Sequence, residues 1–355
     1  MQERKMQKCL ERVRNMAPRV HNITNYVTVN DVANIVLACG GNPIMSDAPE
    51  EVEEVTSICD SLNLNLGTLH REKLISMLKA GKKAKELGHP VVFDPVGVGA
   101  SNFRMNAAQK IMEEVHPTLI RGNVSEIRAL AKGNRTRSGV DAELKELVTE
   151  ENLQQMIKSV KSFANEYKAI IVMTGAIDLV ADEEQCFVIR NGRQEMSRIT
   201  GTGCQLSGIL ATFLAANLEQ KVLAAAAATS MLGAAGEIAW EYLQSYEGNA
   251  SYRNRIIDAV YHMDGKQLEE KANYEIIAVF KTVAYTGFNY YKFYNANTRE
   301  EFDTFIKKCK ELSFYDTEKV AKYGDKLITL STCEYSNKNG RLVVVAKKIT
   351  NVLEE

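Results

Sequence analysis

Gly201-Thr202-Gly203-Cys204 stands one residue, Gln205, before a long apolar run, LSGILATFLAA. Glycines let the backbone turn tightly and offer its N–H groups, and a helix N-terminus adds partial positive charge, so this turn suits an anion such as a phosphate. The same glycines also serve close helix-to-sheet packing. No G-x-x-x-x-G-K-[ST] sequence is present, which excludes a P-loop. A second signal is Asn123-Val124-Ser125-Glu126 after the run TLIRG. Here Asn123 caps a helix and Glu126 follows one turn later, either as a capping-box partner or as a hard oxygen ligand for magnesium. Asp94 ends VVFD before Pro95, as a second acidic candidate or as a turn-starting residue. Arg121 supplies a permanent cation for phosphate oxygens and Thr174 a hydroxyl at the end of IIVMT. Together these residues fit phosphoryl transfer, which asks mainly for positioning and neutralisation of charge.

The elements that must position them alternate in type. Apolar runs at 91–99, 118–126 and 170–175 end in Gly, Asp or Asn and each precedes a helix-like segment. This predicts a parallel sheet with helices on both faces and its ligands at the carboxyl ends of the strands. The first 18 residues alternate charge and hydrophobe as an amphipathic helix, without a signal-peptide core. The Ala-rich run Val222–Gly236 is too short for a membrane span and reads as a buried core helix. After Lys271 the chain turns rich in Tyr and Phe. This predicts a boundary at 272, then a strand over 276–285, a helix over 299–312, a strand over 325–333, a turn at Asn339-Gly340 and a strand over 341–349.

With 355 residues, 45% of them hydrophobic, the chain can bury a domain of about 250 residues plus an appendage. A net charge of −1 makes nucleic acid and anionic membranes poor partners and a small molecule the better one. Seven cysteines without a C-x-x-C pair fit neither a disulfide framework nor a zinc site, and suit a reducing cytoplasm. The five histidines form no metal-like or triad-like spacing. Each reads as structural, and His21, inside VHNITN, is the one to test.

In order and wording, VHNITNYVTVNDVANIVLACGGNPIMSDAPEEV, NLGTL, VVFDPVGVGAS, TLIRGNVSEI, VMTGAID and ITGTGCQLSG resemble the hydroxyethylthiazole kinase family over residues 10–272. The resemblance implies a ribokinase-like α/β fold, 4-methyl-5-(2-hydroxyethyl)thiazole as the small-molecule substrate, ATP with Mg2+, and a homotrimer with sites between subunits. It implies that Met45, Asn25 and Gly201 meet the thiazole alcohol, that Arg121 and Thr174 contact ATP, and that Asp94 and Glu126 serve the metal. Cys204 falls where wider ribokinase-like relatives carry an Asp base, which makes it the candidate to position or deprotonate the substrate hydroxyl. A pyrimidine alcohol kinase of the same pathway is disfavoured by Met45 and HNITNYV.

Within a segment 273–355, residues from about 276 to 350 resemble the carboxyl-terminal part of a class B sortase, through LITLSTCEYSNKNGRLVVVAKKI. The resemblance points to Cys333 as a nucleophile and Arg341 as an oxyanion partner. The family's catalytic His and the first strands of its barrel have no counterpart, so this segment is expected to be an incomplete fragment without transpeptidase activity. A partial barrel is also expected to pack poorly, with an uncovered apolar face.

Overall fold

The computed structural model describes residues 5–133, 147–149, 151–272, 274–283, 286–290, 293, 296, 298–317, 320–324, 327–334 and 339–348. The chain divides into two compact units, Met1–Glu269 and Glu270–Glu355. In chain order, the first contains α1 (Lys5–Met16), β1 (Arg19–Ile23), α2 (Val29–Cys39), β2 (Asn42–Met45), α3 (Val52–Ile58), β3 (Ser61–Asn65), α4 (Arg71–Leu87), β4 (Val91–Asp94), α5 (Asn102–Glu114), β5 (Leu119–Asn123) and α6 (Val124–Gly133). It continues through α7 (Leu153–Tyr167), β6 (Ile170–Thr174), β7 (Asp178–Ala181), β8 (Cys186–Ile189), α8 (Thr202–Ala216), α9 (Lys221–Glu241) and α10 (Asn249–His262), with α11 (Gly265–Ala272) closing it.

The strands form one sheet in the order β2-β1-β3-β4-β5-β6-β7-β8. All pairings from β2 to β6 are parallel, and β7 and β8 extend that edge in antiparallel fashion. Side chains alternate between its faces. Leu62, Leu64, Phe93, Ile120, Ile171 and Met173 point to a core closed by α4, α5, α6 and α7, through Met77, Ile111, Ile127 and Phe163. The opposite face meets α8 along β1, β3 and β4, and α9 along β7 and β8. Truncating a ring such as Phe93, fully buried in that core, to Ala costs about 3–5 kcal/mol.

The Ala-rich run lies inside α9, which is long and apolar enough to cross a membrane yet has nearly all of its residues from Val222 to Gly236 buried within the fold. In α1 the buried positions are Met6, Cys9, Leu10 and Val13, the spacing of one helical face.

The second unit is a three-stranded antiparallel sheet, β10-β11-β9, with β9 at Tyr274–Val283, β10 at Leu327–Glu334 and β11 at Gly340–Lys348, together with α12 (Arg299–Leu312). The expected strand ends at 284–285, 325–326 and 349 lie outside the described residues. Poor packing is not what this unit shows. Phe302, Phe305, Ile306 and Cys309 of α12 cover one sheet face and pack with Ile277, Phe280, Val343 and Val345. The ring of Phe305 stacks on Phe293 at 3.9 Å between centroids. An amphipathic helix with aromatic residues at i and i+3 supplies the cover for this sheet face.

Candidate active site at the carboxyl ends of the parallel strands

β3 reads Ser-Leu-Asn-Leu-Asn, so its leucines enter the core while Ser61, Asn63 and Asn65 face α8. The same alternation turns Asp94 of β4, Arg121 of β5 and Thr174 of β6 to that face, because Phe93, Ile120 and Met173 take the other. Since these strands are parallel and adjacent, their last residues stand side by side, with Asn65 registered against Asp94. The result is a polar ladder across neighbouring strand ends.

Its bonds run from the loop after β1 to the end of β6. The Asn25 amide donates to Asn65 Oδ1 at 3.1 Å, and the Asn65 amide to Asp94 Oδ2 at 2.8 Å. Asp94 Oδ2 also accepts from Ser207 Oγ of α8 at 2.8 Å and faces Arg121 Nη1 at 3.5 Å. Arg121 Nη2 donates to Thr174 Oγ1 at 3.0 Å. Cys204 lies over the Asn25 and Asn65 end of the ladder, its sulfur receiving both amides at 3.3 Å. Asn25, Asn65, Asp94 and Cys204 are all buried.

α8 begins above the ladder. Gly201 adopts φ 92°, a left-handed conformation that only glycine takes readily, and a Cβ there would stand 2.5 Å from Thr28 Cγ2. A Cβ on Gly203 would overlap the Arg121 guanidinium. The two glycines thus bring the first N–H groups of α8 down onto Thr28 and Arg121. Beside them a cavity of about 530 Å3, the size of a small-molecule site, is lined by Arg121, Thr174, Asp178, Asn191, Thr202 and Gly203. The buried Oδ1 of Asn191 and Nε of Arg121 are without partners. A larger groove of about 1040 Å3 lies at the amino ends of β5 and β6, lined by side chains of both charges, and holds none of the candidate residues.

Burial pushes the Asp94 carboxyl up to about 6; the Arg121 cation opposes this and the Glu126 carboxylate adds to it. Its Oδ1 is buried and unpartnered. The Asp178 carboxyl is likewise lifted by burial to about 6, against the Gly175 N–H it accepts at 2.8 Å. Burial, followed by the charge of Asp94, raises the Cys204 thiol above its ordinary value. The setting therefore keeps the proton on sulfur at neutral pH, the reverse of what a helix N-terminus alone would do to a thiol.

The remaining candidates sit as follows. Met45 ends β2, half-buried, registered against Asn22 of β1. Glu126 forms a capping box: its Oε2 accepts the Asn123 N–H and the Asn123 side chain accepts the Glu126 N–H, both at 2.9 Å. Glu126 Oε1 takes the Gly97 N–H at 3.0 Å. His21 is buried, bridging Thr56 Oγ1 and the Ser46 carbonyl at 2.9 Å each, and burial lowers its pKa. No cluster of three or more metal-ligating side chains occurs among the described residues. In the second unit, Cys333 and Arg341 are cross-strand partners in the β10–β11 register, and Arg341 Nη1 donates to the Gly340 carbonyl at 2.9 Å. The Cys333 side chain lies outside what is described.

Sequence reasoning missed Asn65, Ser207, Asp178 and Asn191. For Asn65 the signal was present in the S-L-N-L-N alternation, where polar residues share a face with Asp94.

The chain matches the hydroxyethylthiazole kinase family over residues 10–266. It is 51% identical over 266 residues to the hydroxyethylthiazole kinase of Clostridium acetobutylicum, an alignment spanning 75% of this chain and 97% of the relative. The enzyme of the same name from Alkaliphilus metalliredigens is 40% identical over 269 residues, 76% of this chain and 96% of the relative. Among solved structures, the hydroxyethylthiazole kinase protein from Pyrococcus horikoshii OT3 is 33% identical with a TM-score of 0.64, covering 73% of this chain and 93% of that one. A ribokinase-like superfamily protein from Enterococcus faecalis, 13% identical with a TM-score of 0.51, shares the fold over 73% of this chain and 89% of its own. With the family match covering most of the first unit and its strand ends carrying a connected polar site, the chain belongs to the hydroxyethylthiazole kinase family.

Proposed function

We propose that the first unit transfers the γ-phosphoryl group of ATP to the hydroxyl of 4-methyl-5-(2-hydroxyethyl)thiazole. The observation that carries this reading is the continuous ladder Asn25–Asn65–Asp94–Arg121–Thr174 beneath the amino terminus of α8. Its β1 end, with Asn25, Met45 and Gly201, takes the thiazole alcohol. Its β6 end, with Arg121 and Thr174 beside the 530 Å3 cavity, takes the nucleotide. The α8 amides lie between, where charge develops on the transferred group.

Cys204 acts in this reading as a neutral thiol that orients the hydroxyl, because its raised pKa withholds a thiolate base. Phosphoryl transfer tolerates this, since its barrier falls mainly through positioning and charge neutralisation. Magnesium suits the residues present: it commonly takes one or two carboxylates plus phosphates and water, and Asp94 keeps a buried, unpartnered oxygen near Glu126. Asp94 and Glu126 would hold the ion, which would supply neutralisation of phosphate charge. Glu126 already spends both oxygens on backbone N–H groups, which favours Asp94 as the direct contact and Glu126 through water.

The functional division at 272, a cytoplasmic enzyme, and association into a homotrimer complete the reading. Exposed Tyr26 and Val27, next to Asn25, suit a subunit contact at the site. The segment 273–355, which lies beyond the family match, carries no transpeptidase activity here. All five histidines stand at or before residue 262, so the second unit has none to serve Cys333. Light scattering reads the oligomer. ADP release from ATP that depends on the thiazole alcohol, and not on a pyrimidine alcohol, tests the substrate. Equal rates with both alcohols would overturn the assignment.

A further inference from the structure

Lys73 stands in the first turn of α4 with only 1% of its surface exposed. Lysine is almost never buried so completely unless its ammonium is satisfied. Here Nζ donates to two backbone carbonyls, Thr24 O at 2.6 Å and Gly67 O at 3.0 Å. Thr24 precedes Asn25, and Gly67 follows Asn65 by two residues. One side chain therefore ties the loop after β1 to the loop after β3.

These two loops touch closely. A Cβ on Gly67 would fall 2.7 Å from Cβ of Asn25, and the Gly67 N–H donates to Asn65 Oδ1 at 2.8 Å. From the other side, Arg104 Nη1 of α5 holds the Leu66 and Val96 carbonyls, both at 2.7 Å. Further along α4, Ser76 Oγ donates to the Asp47 carbonyl at 2.6 Å and Lys79 Nζ to that of Pro49 at 2.9 Å, both in the loop after β2. Lys73, Ser76 and Lys79 follow at three-residue spacing, which puts them on one side of the helix. α4 thereby grips the loops after β1, β2 and β3, which carry Asn25, adjoin Met45 and extend from Asn65.

We propose that Lys73 is a positioning residue for the acceptor alcohol: by holding the Thr24 and Gly67 carbonyls together it sets the spacing of the Asn25 and Asn65 amides around Cys204. It governs affinity for the alcohol and leaves the nucleotide end of the ladder untouched. The proposal rests on the reading of these loops as the alcohol pocket. Charge-assisted bonds are about twice as strong as neutral ones, so the proton on Nζ matters. Burial, opposed by Asp47 from the loop after β2 and Cys204 from α8 and assisted by the Arg104 cation, lowers the Lys73 pKa to about 8. As pH rises through about 8 the ammonium loses its proton, the grip on both carbonyls weakens, and affinity for the alcohol falls.

The test is steady-state kinetics of the full chain carrying Lys73→Met or Lys73→Gln. The Met variant is expected to raise the KM for the thiazole alcohol by about tenfold or more, with kcat and the KM for ATP within about threefold. The Gln variant, keeping one amide donor, is expected to fall between. An alcohol KM within about twofold of the parent overturns the proposal, as does a loss confined to kcat, which reads as fewer folded molecules. Should neither variant fold, the unaltered chain decides. An alcohol KM that climbs from pH 7 to 9 while the ATP KM stays level supports the role, and a level alcohol KM overturns it. Absence of any phosphorylated alcohol from the unaltered chain overturns the kinase reading itself and this proposal with it.

Discussion

The strand-end ladder of the first unit and the Cys333–Arg341 pair of the second both place chemically capable residues on adjacent strands, and they differ in what holds those residues. Asp94 is fixed by Asn65, Ser207 and Arg121, and Cys204 by Asn25 and Asn65. Arg341 donates to the carbonyl of the neighbouring Gly340, and the second unit has no histidine to serve as acid or base. A nucleophile without a positioned acid–base forfeits about 10²- to 10⁴-fold from that role alone. Residue type and register bring candidates together, and the supporting bonds turn them into a site.

That comparison can be broken first at Asp94. Asp94→Asn removes a buried carboxylate with an unpartnered oxygen and is expected to lower kcat about 10²- to 10³-fold. Its pKa, raised to about 6 by burial, means that the folded state favours the protonated form. The stability this group contributes is therefore present at low pH and lost as pH rises through about 6. Asp94→Asn should accordingly not lower Tm at pH 8, and the activity of the unaltered chain should fall below about pH 6. A Tm lowered in step with activity would show the carboxylate to be structural.

A smaller effect is expected at Cys204. As a neutral orienting thiol, its replacement by Ala should lower kcat about tenfold with the ATP KM unchanged, and Cys204→Ser should restore part of the loss. A drop of about 10³-fold in the Ala variant, with no rescue by Ser, would instead reinstate a base. Smaller again is Glu126→Ala, which breaks a capping box worth about 1 kcal/mol and should shift Tm by a few degrees in addition to any change in magnesium dependence. Glu126→Gln, which keeps an acceptor, separates the two. At the far end, Cys333→Ala should alter neither thiazole phosphorylation nor cleavage of a surface-sorting peptide, the latter being absent before and after.

Much of this arrangement was legible in the residues, for identifiable reasons. Short apolar runs such as VVFD and IIVMT, rich in β-branched residues, read as strands buried on both faces, and their polar ends marked Asp94 and Thr174. The tail elements were legible because alternating apolar residues mark strands and helical spacing marks α12, which placed β9, α12, β10 and β11 within two residues of expectation; the turn expected at Asn339-Gly340 is corrected at Gly340, which already pairs with Glu334 as the first residue of β11. The antiparallel β7 and β8 were not legible, since four-residue strands in a βα chain carry no periodic signal. Lys73 was hidden because a lysine in a helix ordinarily reads as a solvated face, and its partners are backbone carbonyls that sequence cannot display. The cover that α12 gives the second sheet was missed because the expectation weighed the absent strands and not the helix's own phenylalanines.

The most direct measurement is mass-spectrometric detection of the phosphate ester of 4-methyl-5-(2-hydroxyethyl)thiazole after incubating the full chain with ATP and magnesium. The account predicts that product forms and that Arg121→Met, which removes the cation joining Asp94 to Thr174, reduces it by about 10² or more. A folded, ATP-binding chain that yields no thiazole phosphate would contradict it.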